Sequence, residues 1–282
     1  MWNASPSLLR AEFWALLALA RKGWKVDRRQ PLFVTSGLIG TFQWVLPIVL
    51  ATIALAGPNE AGLRRFAHAT GTEAYLAYAV IGAIAFLWAG WMLSALSFNL
   101  RLDRTLGTLP TLWTSAAARA VLTCGGALGR TVAPAVMAAA AFGIAWALFR
   151  FPLAPNIGPT LAVLLCGGLA MVGLALPLAA VTLRYREAHY LVSLFVVATG
   201  ILAGIAYPVD LLPDWAQWLS RLLSPTWLIH GLRAALIFGD IPDAMRSCGA
   251  LLALTFVYGA AGLVLLRIMD SAARAKGELE WM

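Results

Sequence analysis

The sequence predicts an all-α polytopic membrane protein with six transmembrane helices, and three observations carry that expectation. Hydrophobic residues fill 61 % of the 282 positions and charged residues only 12 %, where a soluble domain normally carries about a quarter. Six runs contain no Asp, Glu, Lys or Arg and are long enough, or nearly so, to cross hydrocarbon. The net charge of +8 comes from Lys and Arg gathered at the ends of those runs rather than on one patch. That distribution describes membrane topology, not a nucleic-acid surface.

The runs cover residues 33–56, 74–100, 131–149, 160–183, 190–206 and 248–266. A helix is the element that satisfies every backbone group within hydrocarbon, at about 20 residues per crossing. The fifth run is short and either continues through Tyr207 or leans on the apolar stretch after it. An even number of spans puts both termini on one side. Fifteen basic residues fall on that side, among them Arg10, Arg21, Lys22, Arg101, Arg104 and Arg274, and six fall on the other. The positive-inside rule then makes both termini cytoplasmic, and the membrane expected is the plasma (bacterial inner) membrane.

Three non-spanning segments remain. In residues 1–31, Ser5 suits a helix cap with Pro6 at the first position. Leu9, Phe13, Leu16, Ala20 and Trp24 then share one face, and Arg10, Arg21, Lys25 and Arg28 fall mostly elsewhere. Such a stretch is either an amphipathic helix lying in the cytoplasmic interface or a plain basic anchor. Pro31 ends it, and residues 32–282 hold the spans. The stretch 101–130 is the longest cytoplasmic connection, either a docking surface for a soluble partner or an ordinary loop. The stretch 208–246, on the outer side, has two short apolar segments punctuated by Pro and Asp, each too short to cross. Interfacial or re-entrant helices and a small folded outer cap both fit it.

Several chemistries find no support. Cys124, Cys166 and Cys248 form neither a disulfide framework nor a metal pattern, and His68, His189 and His230 make no ligand-spaced pair. No cleavable signal peptide is expected, because charges interleave the first apolar stretch. There is no Walker A pattern, no Gly-x-Ser-x-Gly elbow and no His-Glu-x-x-His. The span centres carry no ionisable carboxylate or base, which speaks against a proton relay, although sodium can be held by backbone carbonyls.

The run Tyr207-Pro208-Val209-x-Leu211-Leu212-Pro213-x-Trp215, then Leu223-Ser224-Pro225-Thr226 and Leu232-Arg233-Ala234-Ala235-Leu236, resembles the signature of type 2 ATP-binding-cassette (ABC) transporter permeases. Gly107-Thr108-Leu109, with Gly129-Arg130 some twenty residues on, is similar to that family's cytoplasmic coupling segment. The tail Ala272-Ala273-Arg274-Ala275-Lys276-Gly277-Glu278-Leu279 is similar to the tail of its drug-export branch, and the opening helix matches its connecting helix in place. Two departures concern the coupling segment: Pro110 stands where an acidic residue is common, and Ser115-Ala116 replaces a usual proline.

The resemblance implies a permease subunit of an ATP-driven exporter for an amphipathic small molecule, lipid or lipid-linked substrate. It implies a second permease half, identical or homologous, and a separate cytoplasmic ATPase subunit that binds the ATP and Mg. This chain would bind no cofactor and no metal and supply no catalytic residue. Arg101, Arg104, Gly107, Thr108, Leu109 and Leu112 would meet the ATPase. Pro208, Pro213, Pro225 and Arg233 would shape the outer re-entrant helices. Phe42, Trp44, Phe86, Trp88, Trp91 and Phe195 are candidates to line the path, against ordinary packing or lipid-facing bulk. Gly143, Gly167, Gly168 and Gly173 suit close helix approach. An ion-gradient-driven carrier and a non-transport assembly or enzyme subunit are the alternatives.

Overall fold

A computed structural model describes residues 31–56, 67–68, 70–105, 107, 119–154, 156–184 and 188–275, with Trp14, Ala18, Arg21 and Lys25 as isolated positions before them. Those four are helical and exposed. Leu9, Phe13, Leu16, Ala20 and Trp24, the expected apolar face of an interfacial helix, lie outside the described residues.

The described elements are helical: α1 Pro31–Ala56, α2 Tyr75–Thr105, α3 Arg119–Phe149, α4 Ile157–Arg184, α5 Ala188–Leu202, α6 Asp214–Arg221, α7 Ser224–Arg233 and α8 Ile241–Ala275. Four of them contain stretches long and apolar enough to cross a membrane, at Tyr75–Arg101, Thr131–Phe149, Ile157–Thr182 and Ile241–Ile268. The 26-residue α1 carries no charged residue. At 1.5 Å per residue it is roughly 39 Å long. The 15-residue α5 reaches only about 22 Å by the same rise, short of a hydrocarbon core.

The helices outrun the charge-free stretches. Arg119–Arg130 is the opening of α3 rather than a loop, α2 continues through Arg101 to Thr105, and α8 begins at Ile241 with Arg246 inside it. The reason is physical: charge marks where hydrocarbon ends, whereas a helix continues wherever its i→i−4 bonds and side-chain propensities allow.

The most extensive packing joins α4 to α8, and α2 sits between α3 and α4. Ile81, Leu93 and Leu96 of α2, Val163 and Met171 of α4, Leu228 and Ile229 of α7 and Leu251 of α8 are nearly fully buried in one core. Small residues bring the α4 and α8 backbones together: a methyl group on Gly173 would stand 3.1 Å from the Thr255 carbonyl oxygen. Gly167 meets the Leu228 side chain closely, and Gly168 makes ordinary contact with Trp88 and Met92. Gly143, expected at such a contact, instead faces open space. It lies on a helix whose Val136, Ile144, Trp146 and Leu148 are exposed, so glycine frequency alone does not mark the buried face.

One end of the bundle is closed by the segment between α5 and α8. After a 3-10 turn at Val209–Leu211, α6 lies with Trp215 and Trp218 exposed. In contrast, eight of the ten residues of α7 are buried, and it packs against α2, α4 and α8. A π-helical turn, Ala234–Phe238, ends at Gly239 with φ 67°, and the Asp240 N–H donates to the Ala234 carbonyl. That left-handed residue lets the chain reverse. Asp240 Oδ1 then accepts from the Asp243 N–H and caps α8.

Candidate functional site

Between α1, α2 and α5 lies an open cavity of about 840 Å³, a size that accommodates a drug-like ligand. Each wall contributes one face at helical spacing: Ser36, Gly37, Gly40, Thr41 and Trp44 from α1, Phe86, Leu87, Gly90, Trp91 and Ser94 from α2, and Val196, Val197, Gly200 and Ile201 from α5. Ile205, Ala206 and Tyr207 finish it at the α6–α7 end. The polar groups on the described lining side chains are hydroxyls and indole N–H groups, and no carboxylate, amine, guanidinium or imidazole is among the described lining residues. The Thr41 hydroxyl donates to the Gly37 carbonyl of its own helix. The surface therefore offers aromatic and aliphatic area with no charge, which suits an apolar or amphipathic neutral ligand.

Of the six path candidates, Trp44, Phe86 and Trp91 come together in this cavity. Phe42 packs against the core cluster around Val45 and Ala77, and Phe195 packs against the main core. Trp88 is buried among α2, α4 and α7 residues of the main core, with its indole nitrogen lacking a partner among the described residues. Choosing aromatics missed most of the wall. Gly40, Thr41 and Ser94 were legible through the 3.6-residue register that links them to Trp44 and Trp91, whereas Gly200 and Ile201 of α5 had no such marker. Gly200 permits the Phe86 ring to lie on α5, because a methyl group there would come within 2.8 Å of it.

The end of α5 is finished by residues from elsewhere. A helix leaves its last carbonyls without internal partners, a costly arrangement away from water. Here the Ser220 hydroxyl of α6 donates to the Leu202 carbonyl at 2.8 Å, and the Tyr207 hydroxyl donates to the Ile201 carbonyl. Gly204, at φ 67°, turns the chain away.

Arg233, at the end of α7, completes this closure. Its side chain is 6 % exposed, and its guanidinium lies 3.4 Å from the Tyr78 ring centroid. Nη1 donates to the Gly204 carbonyl at 2.9 Å, and Nη2 donates to the carbonyls of Ile205 and Tyr78. Nε also donates to the Tyr78 carbonyl, at 3.3 Å. Among the described residues no carboxylate forms a salt bridge with it. Gly82 makes room: a methyl group there would occupy the space of Arg233 Nη2 and the Ile205 oxygen.

The remaining expected positions separate. Pro208 and Pro213 precede the 3-10 turn and α6 at their caps, and Pro225 is buried in the first turn of α7. Arg101 is exposed on α2, Arg104 is helical, and Gly107 is exposed at φ 67°. Thr108, Leu109 and Leu112 lie outside the described residues.

A linearmycin resistance permease, LnrN of Bacillus subtilis (strain 168), is 33 % identical over 100 residues. The match takes in 35 % of this chain and 26 % of that relative, so the chain covers only about a quarter of the relative's length. The ABC-2 type transporter family matches residues 15–237, a stretch that takes in the cavity helices α1, α2 and α5 and the Arg233 closure. With its helical membrane architecture, the chain belongs to the ABC-2 type transporter family, whose members are membrane permeases.

Proposed function

We propose that this chain is the permease half of an ATP-driven exporter of an amphipathic small molecule, lipid or lipid-linked substrate. The observation that carries this reading is the uncharged, aromatic-lined cavity of about 840 Å³ between α1, α2 and α5. A proton-coupled carrier places an acid or base on its path, and none is among the described residues that line this cavity. The relative named for linearmycin resistance supports the small-molecule branch.

In this reading α1 to α5 and α8 are the six spans, with α5 completed by the turn after it. α6 and α7 are the outer re-entrant pair, and both termini are cytoplasmic, as the distribution of Lys and Arg favours. A separate cytoplasmic ATPase, which holds ATP and Mg, docks on residues 101–130. A second permease half, identical or homologous, faces the cavity. The chain performs no bond chemistry. It contributes different affinities for substrate in two access states, and the ATPase drives the exchange between them.

The test is reconstitution of the chain with its ATPase in liposomes containing a neutral lipophilic drug. ATP-dependent movement against the drug gradient is expected. Transport in ATP-free vesicles under a sodium or proton gradient would replace this reading with a secondary carrier.

A further inference from the structure

Two of the three cavity walls, α2 and α5, are joined at one end by a side chain that belongs to neither. Arg233 extends from α7 and holds the Tyr78 carbonyl in the first turn of α2 together with the Gly204 and Ile205 carbonyls beyond α5. Ser220 and Tyr207 also close the end of α5, but each stays on the α5–α6 side. The Ile205 carbonyl that Arg233 holds belongs to the residue that, with Ala206 and Tyr207, lines the mouth of the cavity.

The chemistry of this junction differs from that of a permanent lock. A buried ion pair resists separation, because parting it strands two charges in a poor solvent. Arg233 instead has carbonyl dipoles and one aromatic face around it. While the junction is dry, the guanidinium needs all of those acceptors, since no water replaces them. Once the mouth parts and water enters, the guanidinium and the freed carbonyls are both hydrated. The junction therefore favours the closed arrangement and can release into the open one, and such a difference between two states is what shifts an equilibrium.

We infer that Arg233 is a positioning residue that latches the α6–α7 end of the cavity shut by tying Tyr78 on α2 to Gly204 and Ile205 beyond α5. The inference deepens the transport reading and rests on it for the direction of opening; the contacts stand without it. Release of the latch accompanies exposure of the cavity to the outer side, and the strength of the latch sets how rarely that happens at rest. The geometry also demands arginine. A lysine ammonium has three donors but no planar fork, and it cannot span acceptors contributed by two chain segments in the same way.

The test uses the full chain with its ATPase in nanodiscs, a cysteine introduced by Ala206→Cys at the mouth or by Ala170→Cys in the buried core of α4, away from the cavity, and a membrane-impermeant maleimide. The chain without an added cysteine gives the background. With Arg233 intact and no nucleotide, the cysteine at position 206 should react slowly. Arg233→Gln should raise that rate at least ~tenfold, as expected for release of a state held closed by one side chain, and Arg233→Lys should fall between. The rate at position 170 should not change. An unchanged rate at position 206 in a well-folded Arg233→Gln protein would overturn the latch, as would equal acceleration at both positions, which indicates general loosening. Should Arg233→Gln not fold, Arg233→Lys serves in its place, because it keeps the positive charge and lacks the planar fork that spans the carbonyls. A faster reaction at 206 alone supports the latch, and parental rates at both positions overturn it. If ATP leaves labelling of the parent unchanged while the Arg233 variants open the mouth, the ATP-driven reading fails and the latch stands.

Discussion

Truncation of Trp44 should weaken drug binding while leaving the fold intact. The side chain is 66 % exposed on the cavity side of α1, so Trp44→Ala removes little packing within the chain. A flat apolar ligand on one indole face would cover roughly 100 Å², about half the area that an aromatic side chain can bury. At about 25 cal/mol per Å² that contact contributes about 2.5 kcal/mol, or about 70-fold in affinity. Trp91 is 43 % exposed and should contribute less, about 15-fold on the same scaling. The assay is drug-stimulated ATPase activity of the complex in nanodiscs, read as the half-saturating concentration of neutral lipophilic drugs. Unstimulated ATPase activity and melting temperature should stay near parental values. Should both Trp44→Ala and Trp91→Ala keep half-saturation within about threefold of the parent, far below the shift that contact area requires, the cavity is not the binding surface.

Three further outcomes follow from the packing and from the proposed docking segment. Gly173→Val forces a side chain against the Thr255 backbone, which cannot step aside, and should cost about 1–3 kcal/mol in a denaturation series; Gly143→Val, directed into open space, should stay within about 0.5 kcal/mol. Ser220→Ala removes the donor to the Leu202 carbonyl and should lower stability by about 1 kcal/mol, seen as a lower melting temperature. Leu109→Asp combined with Leu112→Asp should leave ATPase activity but abolish transport, and normal coupled transport in that double variant would place the docking surface elsewhere.

Much of the architecture was legible because hydrocarbon imposes a strong rule on composition. A charge-free run of sufficient length predicts a helix, and the helices cover most of residues 33–56, 74–100, 131–149, 160–183 and 248–266. The same rule says nothing about where a helix ends in water, which is why the opening of α3 at Arg119 and the start of α8 at Ile241 did not show. The two short helices between α5 and α8 were legible from Pro213 and Pro225, which start them. Their different fates were not. Ser224, Thr226 and Arg233 look more polar than Trp215 and Trp218, yet α7 is the buried helix. Burial of Arg233 comes with hydrogen bonds to distant carbonyls, a relation that spacing along one chain cannot express. For the cavity, large aromatics drew attention to Trp44, Phe86 and Trp91, whereas Gly40 leaves open space and Gly90 and Gly200 let Val196 and Phe86 approach closely, roles set by a side chain these residues lack.

The unfinished end of α5 also bears on how the protein is made. Its last carbonyls acquire partners from Tyr207, then Ser220, while Gly204 and Ile205 wait for Arg233, about thirty residues after the helix ends. At synthesis rates of about 5–20 residues per second, that segment emerges seconds before the side chain that completes it. During that interval those carbonyls need water or another donor, which holds the end of α5 near a membrane surface. Settling of α5 against α2 is thus a late step in biogenesis, completed when α7 arrives.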